Sequence, residues 1–358
     1  MSSNPEPAHT ITVMAVHAHP DDETLWTGLA LAKARRLGHE VAVVTCTLGE
    51  EGEVIGEKYQ ALVDAQQYEH GTGMLGGYRI AELQRALSAL GIQHGPNLLG
   101  GCGAWRDSGM EGSDSIRHPR AFARAPESPS DGAEGTADAG FEAQVAQLIQ
   151  QIQQIRPEVI LTYAADGGYG HPDHKRAHQI VHEAVRRLAA AGAGTEAESF
   201  VPSQVLWCVT EDEKFAEGMQ GMEGMQDMQD MQGMEGMERV QAPEGWKLPS
   251  AGDIATVPSA EVDLVVHGSV EDVAAKQAAM RAHATQIWVA DGSTSDVNDQ
   301  ARESNPPART AATLFCLSNL ITQPLLDNES YRVGWTKPGV PEDFFARAVG
   351  EHLVGGKS

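Results

Sequence analysis

The chain opens on an apolar run, residues 11–16 (ITVMAV), of the kind that makes a strand buried on both faces of a parallel sheet. It gives way at once to HAHPDDE (17–23), which is too polar to continue such a strand. From about Thr24 to Leu37 the apolar positions move to helical spacing, with Leu25, Leu29 and Ala32 on one face. Thr24 is a candidate cap, Lys33, Arg35 and Arg36 suit the end of the helix dipole, and Gly38 is a stop. Residues 40–47 (EVAVVTCT) predict a second strand, so the chain begins with a βαβ unit. The alternation continues. Helices are predicted over 81–90, 141–155 (ended by Pro157), 174–190 and about 271–284, and strands over 97–99, 159–163, 204–209 and 264–266. This order predicts an α/β fold: one open, mainly parallel, Rossmann-like sheet with helices on both faces. In such sheets ligands bind beyond the carboxyl ends of the strands. HAHPDDE, LGEEGE (48–53) and ADGGYGHPDH (165–174) each follow a strand, so all three project from that edge.

The expected organisation is a flexible N-terminus (1–10), a single catalytic domain (11–325) and a C-terminal segment (326–358). Two insertions interrupt the domain. Residues 125–140 are small, polar and rich in Pro and Gly, and predict a surface loop. Residues 218–238 repeat Met at every third position, a period that suits neither helix nor strand, and predict a disordered acidic loop. Evenly spaced thioethers also suit a soft metal, so a metal-binding protein working through this repeat is a second reading from a different class.

Of 358 residues, 26 are basic and 50 acidic, a formal charge of −24, which disfavours nucleic-acid and membrane-surface partners. No apolar run reaches the ~18 residues a membrane helix needs, and MSSNPEPAHT lacks the features of a signal peptide. Four cysteines stand far apart without a CxxC, and read as reduced thiols of a cytoplasmic protein.

The chemistry concentrates in two motifs. His19, Asp21 and Asp22 supply imidazole and carboxylate ligands after the first strand, and Tyr169, His171, Asp173 and His174 lie in a Gly-rich loop before a helix. Either motif alone is compatible with a helix-capping turn or a solvated loop. At one sheet edge together they favour a metal site of His19, Asp22 and His174, an open triad of the catalytic kind. His17 reads as a core histidine, Glu50 and Glu51 as solvated, and Trp26 as either a pocket wall or a packing residue.

AVHAHPDDET (15–24), VVTCTLGEEGEVIGE (43–57), LGGYRIAEL (75–83), WRDSGM (105–110), GGYGHPDH (167–174) and KQAAMRAHATQ (276–286) carry a resemblance to the PIG-L/LmbE-like family of zinc-dependent N-deacetylases. The resemblance implies one Zn2+ per subunit, with Fe2+ as the other metal such a triad accepts, held by His19, Asp22 and His174. It implies Asp21 as general base, Tyr169 and His171 as oxyanion stabilisers, and Asp173 as the residue that orients His171. It also points to Arg79, Asp107 and Glu53 as contacts to a small sugar–inositol substrate; an ion pair without substrate contact is the other reading of Arg79 and Asp107. The implied activity is hydrolysis of an N-acetyl group from glucosamine linked to inositol, in mycothiol biosynthesis, with mycothiol S-conjugate amide cleavage as the sister activity.

Overall fold

The computed structural model describes residues 10–64, 73–124, 138–192, 200–223, 242–304 and 311–356. Its strands are β1 (Thr12–His17), β2 (Glu40–Thr45), β3 (Asn97–Leu98), β4 (Val159–Tyr163), β5 (Gln204–Val209), β6 (Leu264–His267), β7 (Trp288–Val289), β8 (Ala311–Cys316), β9 (Gln323–Leu326) and β10 (Asn328–Thr336). The helices are α1 (Asp22–Leu25), α2 (Gly28–Arg36), α3 (Ala61–Asp64), α4 (Met74–Ala89), α5 (Ala139–Ile155), α6 (Pro172–Gly192), α7 (Asp212–Glu223), α8 (Val270–Ala282) and α9 (Phe344–Ala348).

Seven strands form one sheet in the order β3-β2-β1-β4-β5-β10-β6, and β7-β8-β9 form a small second sheet. β1 pairs in parallel with β2 on one side and β4 on the other. The chain therefore reverses its direction of travel across the sheet between β1 and β4, and the crevice beyond their carboxyl ends is where such folds place ligands. The apolar runs of β1, β2 and β4 are buried almost throughout, as strands covered on both faces must be. The α/β sheet expected from the sequence is the one observed.

Several local expectations change. The helix expected over 24–37 is two helices, and Thr27, not Thr24, precedes the longer one. Thr27 makes no side-chain cap bond, because its hydroxyl bonds the Glu23 carbonyl (3.0 Å) and the His17 ring (2.9 Å). The orphan N–H groups of Leu29 and Ala30 donate instead to Glu329, three hundred residues away, at 2.8 and 3.0 Å. α4 starts at Met74, earlier than expected, and runs through Gly76 and Gly77, of which Gly76 is a contact residue. A Cβ on Gly76 would lie 2.9 Å from Leu48 and Glu50, so glycine lets α4 close on the loop after β2.

The C-terminal segment is not an appendage: β10 enters the main sheet between β5 and β6, antiparallel to both. Residues 139–140 begin α5 under an Asp138 cap rather than ending a loop, and the first part of the Met repeat, 218–223, ends α7 with Met219 buried. The remaining calls for 1–9, 125–137 and 224–238 lie outside the described residues.

Glu329 is the anchor of this arrangement. Besides Leu29 and Ala30 it accepts from Lys276 Nζ (2.8 Å) and the Tyr331 hydroxyl (2.7 Å). Glu329→Ala would strand a buried ammonium and two helix N–H groups. It is expected to cost about 3–5 kcal/mol, read as a lowered urea midpoint at unchanged slope.

Candidate metal centre

The end of β1 runs through His17 and Ala18 into His19, and β4 ends at Tyr163, whose hydroxyl ties the two strand ends together. That hydroxyl accepts from the Ala18 N–H (2.8 Å) and donates to Asp22 Oδ2 (2.7 Å), while its ring stacks on His174 at 4.1 Å. Tyr163 is fully buried; the sequence reading took it as a core strand residue, and its polar tip at the carboxyl end of that strand was the available signal.

His19, Asp22 and His174 meet here, as expected. His19 Nδ1 lies 3.3 Å from Asp22 Oδ2, His174 Nε2 lies 3.4 Å from the same oxygen, and the two nitrogens are 3.3 Å apart. The second nitrogen of each ring faces an acceptor: His174 Nδ1 the Gly167 carbonyl at 3.0 Å, His19 Nε2 the Asp173 carboxylate at 3.4 Å. Those nitrogens are thus the donors, and each ring turns a lone pair towards Asp22. In these tautomers three lone-pair atoms face one another, a place that a proton or a cation must fill. Ligand atoms at 2.0–2.2 Å from a tetrahedral ion lie about 3.3–3.6 Å apart, which is the spacing found. The residues therefore fit a divalent metal.

The surroundings are strongly negative. Burial disfavours charge on His19, yet Asp107, Asp173 and Asp22 outweigh it and raise its pKa well above the usual value. Burial likewise opposes ionisation of Asp22, but His174 and His19 hold its carboxyl far below the ordinary range. An excess of buried carboxylate of this kind is compensated by a cation.

Asp21 stands beside the triangle in a strained conformation, φ +118°, which for a residue other than glycine costs on the order of 1–3 kcal/mol and persists only where neighbours hold it. Its N–H donates to Glu23 (2.9 Å), and Glu23 in turn meets His283 Nε2 at 2.7 Å, both fully buried. Its carboxylate pairs with Arg79 Nη2 at 2.9 Å. Burial pushes the Asp21 carboxyl up to about 6, with Arg79 opposing and Asp22 reinforcing.

His171 also borders the triangle, its ring 4.6 Å from His19 and 5.2 Å from His174. Burial and these two neighbours lower its pKa to about 3, so it is neutral. Its Nδ1 accepts from the Asp173 backbone N–H at 3.1 Å, which leaves Nε2 as a donor. This revises the expected role of Asp173: its backbone orients His171, whereas its carboxylate binds His19 and the Ser108 N–H (3.0 Å). Tyr169 packs edge-on against His174 at 4.9 Å; its ring is half exposed, yet burial and the Asp22 charge raise its phenol pKa.

Arg79 and Asp107 both line the cavity but are buried and engaged. Arg79 bonds the Gly49 and Pro20 carbonyls besides Asp21, and Asp107 accepts from Gly109 (2.9 Å) and Glu51 (3.2 Å) N–H groups. Glu53 is exposed on the wall. Glu50 and Glu51 are not solvated as expected: Glu50 is buried and accepts from the Asp107 N–H (3.1 Å), and Glu51 pairs with Arg106 (2.6 Å). Trp26 serves both expected roles, lining the cavity and packing edge-on against Tyr163 at 6.2 Å. His17 is a core residue, as read from the sequence.

Residues 14–185 match the PIG-L family, described as GlcNAc-PI de-N-acetylase. The chain is 77% identical to the 1D-myo-inositol 2-acetamido-2-deoxy-alpha-D-glucopyranoside deacetylase of Corynebacterium jeikeium, over 99% of this chain and 100% of that one. It is 49% identical to the protein of the same description from Corynebacterium urealyticum (92% of this chain, 86% of that one) and 42% to that of Corynebacterium diphtheriae (92% and 95%). The chain belongs to the PIG-L family. That family membership extends beyond the matched segment, since the similarity to these relatives runs through the second sheet and β10. No described helix is long and apolar enough to cross a membrane.

Since the Tyr163 hydroxyl is the donor that fixes Asp22 Oδ2, Tyr163→Phe is expected to weaken Zn2+ binding about 10–100-fold. Competition with a chromogenic chelator measures this directly, and unchanged affinity would remove Tyr163 from the site.

Proposed function

We propose that the chain hydrolyses the N-acetyl amide of 1D-myo-inositol 2-acetamido-2-deoxy-α-D-glucopyranoside, releasing acetate and the free amine for mycothiol biosynthesis. The observation that carries the chemistry is the triangle of His19 Nδ1, Asp22 Oδ2 and His174 Nε2 with Asp21 beside it. The substrate is inferred from the 77% identical relative named for that compound.

His19, Asp22 and His174 would hold the metal, and two nitrogens with one oxygen at tetrahedral spacing favour Zn2+, while Fe2+ accepts the same donor set. A divalent ion there supplies Lewis-acid polarisation of the amide carbonyl and acidifies water. Asp21, its carboxyl held near neutrality by burial, takes the proton of the attacking water and returns it to the leaving amine. His171, neutral with Nε2–H free to donate, and the Tyr169 hydroxyl stabilise the charge that develops on the carbonyl oxygen. Asp173 locks the His19 tautomer and, through its backbone, that of His171. Arg79 acts chiefly by aiming Asp21, and Asp107 and Glu53 offer acceptors to the sugar and inositol hydroxyls.

Chelation is expected to abolish amine release, and stoichiometric Zn2+ to restore it. Full activity of metal-free protein, verified by elemental analysis, would overturn the reading. Asp21→Asn is expected to retain the metal while lowering kcat about 10²–10⁴-fold. The substrate is tested by initial rates on the N-acetyl-glucosaminyl-inositol and on a mycothiol S-conjugate. Faster release from the conjugate would move the chain to the amidase activity with the same catalytic groups.

A further inference from the structure

We propose that the turn after α8, His283-Ala284-Thr285, is a clasp that positions Asp21 from two sides. This rests on the reading of Asp21 as the proton-transfer group. On one side His283 Nε2 meets Glu23 Oε1 at 2.7 Å, and the other oxygen of Glu23 accepts the Asp21 N–H at 2.9 Å. Thr24 Oγ1 donates to Glu23 as well, at 2.6 Å. The Glu23 carboxylate is therefore held by a residue 260 positions away and holds the one backbone N–H whose residue carries φ +118°. On the other side Thr285 grips Glu82 of α4 twice, through its N–H at 2.9 Å and its hydroxyl at 2.6 Å. Arg79 lies three residues before Glu82, on the same helix face, and its guanidinium pairs with the Asp21 carboxylate at 2.9 Å.

His283, Glu23, Thr285 and Glu82 are all fully buried. None of these contacts reaches the metal triangle, and neither His283 nor Thr285 lines the cavity. Their reach towards Asp21 is twofold, once through its backbone and once through its carboxylate, and Thr285 also accepts from the Gln286 amide (3.1 Å), which lines the cavity wall. A strained backbone relaxes when the group holding it is removed, and a displacement of the proton-transfer group of about 1 Å is enough to cost two orders of magnitude in turnover. His283 and Thr285 are thus positioning residues, with no contact to substrate.

Two near-isosteric changes separate positioning from simple packing. In His283→Gln the side-chain amide occupies the place of Nε2 and still donates to Glu23. In His283→Asn the amide falls short, at the place of Nδ1. In Zn2+-loaded full-length protein, His283→Asn is expected to lower kcat about 10–100-fold with KM and bound zinc within twofold of the parent. His283→Gln is expected to recover most of that loss. In an Asp21→Asn background, His283→Asn should cost less than about twofold further, because the residue it serves is already disabled. Thr285→Val, which loses the hydroxyl bond to Glu82 and the one accepted from the Gln286 amide, should show the same dependence on Asp21 with a smaller loss. An equal loss from His283→Asn in both backgrounds, a loss carried in KM or in zinc content, or equal effects of the Asn and Gln variants would overturn the clasp. Full activity of Asp21→Asn alone would instead overturn the reading of Asp21, and the clasp with it.

Discussion

Buried negative charge governs this molecule. Within a few residues of the end of β1 lie Asp21, Asp22 and Glu23, and the loop after β3 and the first turn of α6 add Asp107 and Asp173, nearly all of them withdrawn from water. An unpaired carboxylate in such a place is prohibitively costly, so each must find donors or a cation. The fold assigns them one by one. Arg79 takes Asp21, His283 takes Glu23, backbone N–H groups take Asp107, and Ser108 and His19 take Asp173. Asp22 differs: besides Tyr163 and the His19 N–H, it faces two imidazole lone pairs. A cation between those lone pairs would complete the pairing around Asp22.

The same logic explains why the far end of the chain is woven into the sheet. α2 begins in the interior, directly behind the metal loop, where water cannot satisfy its first N–H groups. Glu329 on β10 does so, and Lys276 on α8 balances its charge. α8 then delivers the turn that carries His283 and Thr285. Thus the elements that stabilise the helix after the metal motif also present the residues packed against it, and the C-terminal third supports the chemistry of the first half.

The sequence was legible where a single physical signal dominated. The continuous apolar runs of β1, β2 and β4 marked buried parallel strands, and the polar motifs at their ends marked the ligand edge, so His19, Asp22 and His174 were brought together correctly. It was illegible where function depends on partners distant in sequence. Nothing local to Glu329 announces a cap for a helix three hundred residues earlier. Glu50 and Glu51 sit in a loop of the composition that usually means solvent, but α4 packs over Glu50 at Gly76 and Arg106 pairs with Glu51. The resemblance assigned Asp173, two residues on, to His171, yet the helix start at Pro172 turns its carboxylate to His19. Arg79 was ambiguous between substrate and ion pair, and the deciding fact, the strained Asp21 it grips, is conformational.

The cavity, about 620 Å3, divides along the chain in a way that bears on specificity. Its catalytic edge, from His19 to His171, comes from within residues 14–185, the segment that matches the family as a whole. Another part of the wall comes from later elements: Lys214 and Phe215 in α7, Phe315 in β8 with Leu317–Asn319 after it, and residues of β9 and β10. That wall is mixed, with Phe215, Phe315, Leu325 and Leu326 beside Glu211, Lys214 and Asn328. An acetyl group is far too small to touch it, so it meets only the part of a substrate remote from the bond being broken. Interactions with such remote parts set which molecule is held long enough to react, while the edge determines what is done to it. The groups beside the bond being broken thus lie within the family-matched segment, and much of the surface that meets the rest of a substrate lies after it. On the proposed reading, discrimination between the deacetylase and amidase activities draws on this wall together with Asp107 and Glu53, in contacts that leave His19, Asp21, Asp22 and His174 untouched.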